Sequence, residues 1–190
     1  VSYLYTVGDF QGWNINNVDS LVSATSNGIY TGIIDFRNSG SRAFLIVPAK
    51  SFSNKYADGG AGKIQYNNGG DLIAPGNFQY RVTADINALT ISYARDSWGV
   101  IGDATPTGWG SDTKMTYNNG TRKWSITINL EGGKFIKFRQ NDDWNLPNYG
   151  SKNSNGTLDT QNDNNIPVPS TGSYRIEADF ANLTYSLVKL

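Results

Sequence analysis

The stretches YRVTADINALTIS (residues 80–92) and YRIEADFANLTYS (residues 174–186) are close copies of one another, 94 positions apart. In the second copy Tyr174, Ile176 and Ala178 alternate with charged residues, which is the period of a strand with one buried face. A short polar segment interrupts each copy before a second apolar run begins. The two stretches therefore predict an antiparallel β-hairpin that closes each of two repeated units.

The repeat extends to the start of each unit. VGD at 7–9 returns as IGD at 101–103 with the same offset, and a Gly-Trp pair follows each of them shortly afterwards. The middle parts of the two units agree only loosely. We therefore predict two domains, residues 1–95 and 96–190, with a junction too short to be a flexible linker.

Short β-rich runs separated by glycine and asparagine turns fill both units. The chain contains 21 glycines, and aromatic residues make up 13% of it. Units of this size with about seven short strands each are typical of sandwiches. The predicted fold is all-β, with two tandem immunoglobulin-like or carbohydrate-binding-module-like antiparallel β-sandwich domains; a barrel remains the alternative. In the second unit the predicted strands are 98–102, 113–117, 123–130, 134–140, 156–158 or nearby, 172–179 and 184–189.

The composition excludes several classes of function. Sixteen basic residues balance sixteen acidic ones, so the basic footprint of a nucleic-acid-binding protein is missing. The chain has neither cysteine nor histidine, which excludes disulfides, thiolate chemistry, a Ser-His-Asp triad and histidine-based metal sites. No apolar run approaches the roughly 20 residues of a membrane-spanning helix. We expect no cofactor.

The stretch GKFIKFRQNDDWNLPNYG (residues 133–150) suggests a binding surface. Its strand-like half predicts an exposed face of Phe135, Lys137 and Arg139, which continues into a polar loop with a tryptophan. Aromatic rings stack on the apolar faces of sugars, while guanidinium and amide groups bind hydroxyls. The residues predicted to bind glycan are Lys137, Arg139, Asn141, Trp144 and Asn148, with Trp98 and Trp109 from the start of the unit.

Each tryptophan also has a structural interpretation, because a tryptophan in a small β-sandwich more often belongs to the core. Trp124 shares a face with Ile126 and Ile128 and is predicted to be core. Trp98 begins a strand and fits either role, whereas Trp109 lies in a glycine-rich loop and Trp144 among polar residues. If the aromatic residues are core, the chain is a structural or adhesion module without glycan binding.

Catalysis receives little support from the sequence. A glycosidase needs two carboxyl groups on opposite sides of the scissile bond. Asp142 and Asp143 are adjacent and point apart in an extended chain, and the two glutamates, Glu131 and Glu177, fit surface positions. We predict a protein that is not an enzyme, with a glycoside hydrolase as the third hypothesis.

Oxygen donors of the kind that calcium prefers cluster in LDTQNDNNIPV (residues 158–168). Their spacing does not match an EF-hand loop, and such acidic and amide-rich turns usually hold no metal. We predict no metal site and keep calcium as the alternative. The donors concerned are Asp159, Asn162, Asp163 and Asn164.

Three ordered motifs of the second unit, at 98–115, 134–150 and 165–187, resemble the SusE/SusF family of Bacteroidetes outer-membrane starch-binding lipoproteins. The resemblance implies tandem β-sandwich modules that capture glycan without cleaving it, each with an aromatic arc and Lys or Arg hydrogen bonds. On this comparison Trp144 with Arg139 or Lys137 matches the arc best. Trp98 and Trp109 match the opening motif.

The same resemblance implies a cellular setting. It suggests a surface-exposed protein of the cell outer membrane that binds starch or another α-glucan and supports a SusCD-type transporter. Family members carry a lipidated cysteine near the N-terminus and a further domain. This sequence contains neither, so we expect it to be part of a longer, lipid-anchored protein, with no other membrane attachment and no nucleic-acid partner.

The first unit departs from the pattern. Aligning NKY at 54–56 with PNY at 147–149 and counting back places Phe44 and Ile46 where the second unit has its two cations. Phe52 falls near the position of Trp144. We predict a working site in residues 96–190 and a weak or absent one in residues 1–95. The candidates for that weaker site are Phe52, Lys50, Lys55 and Trp13.

Overall fold

The structure is a computed structural model that describes residues 1–160 and 164–190. The chain divides into two compact units, Val1–Asp96 (unit 1) and Ser97–Leu190 (unit 2). Both units consist of antiparallel β-strands, and a 3-10 turn at Asp9–Gln11 is the only helical segment of the part described. The prediction of an all-β protein is confirmed.

Unit 1 contains one sheet that closes on itself. Its strands follow the order β1-β2-β3-β8-β9-β6-β5-β4, and β4 pairs again with β1, while β7 pairs with β4. Phe36, Phe44 and Ile46 are fully buried in the interior of the unit. The strands are β1 Ser2–Gly8, β2 Asp19–Ser23, β3 Ile29–Asp35, β4 Ala43–Val47, β5 Tyr56–Gly60, β6 Lys63–Tyr66, β7 Leu72–Ile73, β8 Gln79–Asp85 and β9 Thr90–Arg95.

Unit 2 contains two main sheets, one of order β11-β10-β14-β15, with β16 also on β14, and one of order β12-β13-β17-β18. Met115, between β11 and β12, is fully buried. Trp124 is also buried, as predicted. The strands are β10 Trp98–Ile101, β11 Thr113–Lys114, β12 Thr116–Asn118, β13 Lys123–Leu130, β14 Phe135–Gln140, β15 Asn148–Tyr149, β16 Ile166–Pro167, β17 Gly172–Asp179 and β18 Thr184–Lys189.

The long strands of unit 2 follow their sequence patterns. The bounds of β13, β17 and β18 are the predicted ones, and β10 and β14 differ by one residue at one end. The strand predicted at 156–158 is wrong, because Thr157 forms only an isolated bridge with Thr184. The two-residue strands β15 and β16 were not predicted, since so short a segment has no measurable periodicity.

The same turn joins the two strands of the repeated hairpin in both units. The carboxylates of Asp85 and Asp179 each accept hydrogen bonds from the backbone N–H groups two and three residues further along. Leu89 and Leu183 then take left-handed conformations, with φ of 53° and 54°. An aspartate that caps its own turn explains why this stretch is the best preserved part of the repeat.

Candidate functional site

Strand β14 does not have the exposed charged face that its sequence predicts. Ile136 and Phe138 are buried in the core, but Lys137 and Arg139 on the other face are also only 2% and 6% exposed. Of the three predicted surface residues, Phe135 alone is exposed. The alternation of residues identifies the two faces of a strand, but it does not show what covers the face opposite the core. In β14 other polar side chains of the unit cover that face.

Arg139 belongs to a network of charges that runs from a buried carboxylate to the surface. Its Nη2 donates to Oδ1 of Asp112 at 2.6 Å, and the Asp112 side chain is fully buried. Nζ of Lys114 lies 3.3 Å from the other oxygen, Oδ2, of Asp112, and it also pairs with the carboxylate of Asp142. We call Arg139, Asp112, Lys114 and Asp142 the charge cluster. It holds two positive and two negative charges.

A glycine makes room for this network. Gly99 in β10 pairs with Arg139 on one side and Lys114 on the other, so the Asp112 side chain lies above it. A Cβ atom at position 99 would meet Asp112 Oδ2 at 2.6 Å. The backbone of β10 therefore forms the floor of the charge cluster, and only glycine fits there without displacing the carboxylate.

Two exposed indoles lie beside the charge cluster. The ring centroids of Trp109 and Trp144 are 6.2 Å apart, with 39° between the ring planes. The two residues are 39% and 46% exposed. The guanidinium carbon of Arg139 lies 4.8 Å from the Trp144 centroid, within range of a cation–π interaction. We call Trp109 and Trp144 the tryptophan platform.

The loop that carries Trp144 is anchored at its base. Asn141, which has a φ of 52°, donates its backbone N–H to Ser97 O at 2.7 Å. Its side-chain Oδ1 accepts from Ser97 N at 2.8 Å. The backbone N–H of Gln140 also donates across the loop, to Pro147 O. The Asn141 side chain thus fastens the loop to the start of unit 2.

Two other predicted sugar ligands contact each other inside the unit. Nζ of Lys137 donates to Oδ1 of Asn148 at 2.6 Å, and both residues are buried. The solvent-facing position predicted for Lys137 is wrong, as described above for its strand. Lys137 and Asn148 join β14 to β15 on the face that carries the charge cluster.

Trp98 is a core residue, which decides between the two roles that its sequence context allowed. It is 5% exposed and stacks on Phe180, with centroids 3.8 Å apart, and on Tyr149 at 5.2 Å. A ring covered by two others has no free surface for a ligand. The structure therefore gives Trp98 the core role, one of the two that its sequence context allowed.

The register of the strands gives the equivalent positions in unit 1. Tyr5 pairs with Val47 in unit 1 as Gly99 pairs with Arg139 in unit 2, so Val47 is the equivalent of Arg139. By the same pairing, Leu45 is the equivalent of Lys137. The alignment with Phe44 and Ile46 is wrong by one residue, because ten positions separate Ile46 from its β5 partner Tyr56 and eleven separate Phe138 from Tyr149. Phe44 and Ile46 belong to the main core instead.

Unit 1 therefore builds the same face from apolar side chains. Ser20 pairs with Tyr5 as Lys114 pairs with Gly99, so Val18 occupies the place of Asp112. Val18 packs, with Trp13, on a small cluster that contains Leu45 and Val47. Of the other residues predicted for a second site, Lys50 lies over the Tyr5 ring at 5.8 Å, Phe52 is exposed, and the Lys55 backbone N–H donates to Asn67 Oδ1.

Sequence reasoning missed Asp112 and Lys114. Both lie in the motif at 98–115, two and four residues after Gly110, in a segment whose glycines indicate a loop. Their proximity to the Gly-Trp-Gly segment was the available signal. Their pairing with Arg139 depends on a contact across 27 residues of sequence, which no local pattern encodes.

The possible calcium ligands are partly engaged with other groups. Oδ2 of Asp159 accepts from the backbone of Lys152 at 2.6 Å, and Oδ1 accepts from Nδ2 of Asn164 at 3.0 Å. Asn162 and Asp163 lie outside the described residues. Within residues 1–160 and 164–190, no group of three or more His, Cys, Asp or Glu side chains is placed to hold a metal ion.

Among known proteins, a family match covers unit 2, whereas a structural match covers almost the whole chain. Residues 99–189 match a family described as a domain of unknown function, DUF8037. No curated protein matches the sequence. The crystal structure of SusF from Bacteroides thetaiotaomicron is similar, with a TM-score of 0.42 and 17% identity. That match covers 98% of this chain, which spans about half (48%) of the SusF chain.

In the parts of the chain that the structure describes, no helix has the length and apolar character needed to cross a bilayer.

Proposed function

We propose that unit 2 binds polysaccharide at the tryptophan platform and does not cleave it. The observation that carries the proposal is the pair of neighbouring indoles, both more than a third exposed, on a unit whose other large aromatic residues mostly pack inward. A pyranose ring that stacks on an exposed indole removes apolar surface from contact with water. The tryptophan side chain also loses little conformational entropy on binding.

The shape of the platform favours an α-glucan. The two ring planes are inclined at 39° to each other, so they form a shallow angle and not a flat surface. Inclined rings suit a helically curved chain, such as starch, whereas a flat ribbon polysaccharide stacks best on coplanar rings. The charge cluster is balanced in sign, which favours an uncharged glycan over an anionic one.

We propose for Arg139 a different role from the one that its sequence position predicted. Its guanidinium lies against the Trp144 ring and pairs with Asp112, and the residue is almost fully buried. We infer that it supports one face of the indole and leaves the rest of the ring for the sugar. Polar contacts to hydroxyl groups would come from the exposed loop between Asp142 and Leu146.

The absence of cleavage is proposed from the environment of the nearest carboxylates. Asp112 is buried and bound to two cations, and Asp142 is paired with Lys114. These carboxylate oxygens are engaged by lysine and arginine side chains, and the Asp112 side chain is sealed from solvent. A general acid has to lie within hydrogen-bond reach of the glycosidic oxygen that it protonates.

The wider setting is proposed from the sequence resemblance of the three motifs. We propose a β-sandwich for unit 2 and the barrel alternative for unit 1, whose single sheet closes on itself, with a weak or absent site in unit 1, where apolar side chains replace the charge cluster. The protein would act at the cell surface, lipid-anchored to the outer membrane, and would support glycan uptake by a SusCD-type transporter. A structural or adhesion role without glycan binding is the competing hypothesis.

Affinity electrophoresis in gels that contain soluble starch tests the proposal. Trp109→Ala and Trp144→Ala should each lose most of the retardation of the wild type while melting within a few degrees of it. Phe135→Ala is the matched control, because it removes an equally exposed aromatic ring of unit 2 that lies outside the platform. It should retain wild-type mobility.

A panel of other gels separates the hypotheses. Retardation by starch but not by a β-1,4-linked glucan supports the α-glucan assignment. If the wild-type protein runs unretarded in every polysaccharide gel, the structural or adhesion role replaces the proposal. Release of reducing sugar from any of these polymers would show an enzyme.

A further inference from the structure

The fold does not require the buried carboxylate of Asp112. At the equivalent place in unit 1 the residue is Val18, and Val47 stands where unit 2 has Arg139. The same pair of strands is therefore stable with apolar side chains. Burying an ion pair costs desolvation that an apolar pair avoids, so the charges of unit 2 are not explained by stability.

The charge cluster contacts the loop that carries Trp144 at two points. On one side Asp112 holds Arg139, whose guanidinium lies against the Trp144 ring. On the other side Asp112 contacts Lys114, which pairs with Asp142 two residues before that tryptophan. A single buried carboxylate thus restrains both the ring and the backbone segment that precedes it.

We propose that Asp112 is a positioning residue that pre-forms the tryptophan platform; the link to glycan affinity rests on the proposed function. A platform that already holds its two rings at the binding angle loses less conformational entropy on binding. Asp112 does not itself touch the ligand, because its side chain is fully buried. It acts through Arg139 and Lys114.

Two variants separate positioning from folding. Asp112→Asn removes the carboxylate charge that pairs with the buried Arg139 and the partly buried Lys114, so it should weaken starch binding by about ten-fold, the loss expected from a charged hydrogen bond. It should also lower the melting temperature. The double variant D112V/R139V reproduces the apolar pair of unit 1. It should recover the melting temperature and still bind starch about ten-fold more weakly than the wild type.

A ligand-free measurement tests the platform directly. Indoles 6.2 Å apart couple, and the difference between the far-UV circular dichroism spectra of wild type and Trp144→Phe isolates that signal. We expect D112V/R139V to lose most of it. A double variant that keeps both the coupled signal and wild-type affinity overturns the positioning role. If the wild type binds no glycan but the signal still collapses in D112V/R139V, the positioning role stands and the proposed function fails.

Discussion

Trp98 and Trp144 show how residue type alone fails to assign a role. Both are tryptophans beside polar or glycine-rich segments, yet Trp98 stacks on Phe180 and Tyr149, whereas Trp144 is 46% exposed. The difference follows from which side of the sheet each ring meets. A ring inside a packed core contributes through burial, and an exposed ring contributes through what it can bind.

Substitution of the two tryptophans should separate these contributions. Trp98→Ala leaves a cavity beside Phe180 and Tyr149 and should lower the free energy of unfolding by about 3–5 kcal/mol. Trp144→Ala should cost less than about 1.5 kcal/mol, since its ring is half in solvent. Urea denaturation followed by fluorescence measures both. Equal losses would contradict the assignment of Trp98 to the core and Trp144 to the surface.

Gly99 gives a second prediction at the residue scale. A methyl group at this position would lie 2.6 Å from Oδ2 and 2.7 Å from Cβ of Asp112, which is buried and cannot move freely. Gly99→Ala should destabilise unit 2 by about 1–3 kcal/mol, as overpacking usually does. Gly110→Ala is the control, because its nearest neighbour would be 3.7 Å away. A neutral Gly99→Ala would show that the charge cluster is loosely held.

At the scale of elements, the repeated hairpin depends on an aspartate that caps its own turn. Partial burial acts to raise the pKa of Asp179, but hydrogen bonds from Asn182 and Ala181 outweigh it, so the pKa lies below its ordinary value. A lowered pKa in the folded state stabilises the fold above the unfolded value of about 3.9. That contribution is lost as the pH falls through the folded pKa.

Acid denaturation can check this turn. Asp179→Asn keeps an oxygen acceptor for the backbone but removes the charge, so the variant should be less stable than the wild type at pH 7. The gap should narrow as the pH falls below about 4, where the wild-type carboxylate takes up its proton. Thermal melts across this range measure the gap. A difference that stays constant with pH would assign the loss to geometry and not to ionisation.

Strand β14 shows what an element's own sequence leaves undecided. Its alternating pattern gives the correct core face, Ile136 and Phe138, and the correct bounds within one residue. The other face is covered in both units, by charges in unit 2 and by aliphatic side chains in unit 1. Covering depends on loops that reach the strand from distant parts of the chain, and strand periodicity carries no information about them.

At the scale of the whole molecule, the two units share the two neighbours of their first strand and the closing hairpin, and they differ at the surface that would bind. Unit 1 places aliphatic residues where unit 2 has its charge cluster, and Phe52 is the exposed ring nearest in sequence to the position of Trp144. If the second site is weak or absent, starch retardation of the full chain should fall to background in Trp144→Ala. Residual retardation that a further Phe52→Ala removes would instead assign binding to unit 1.

The sequence by itself determined the all-β class, the hairpins and the long strands. Strict alternation and self-capping aspartates are local properties, so they can be read without knowing the fold. It also singled out Trp109, Trp144 and Arg139. The tertiary structure alone decided that Trp98 is core, that Arg139 is buried behind an indole, and that Asp112 and Lys114 join it. These are contacts between residues far apart in the chain, and side-chain burial depends on what the whole fold brings over each face.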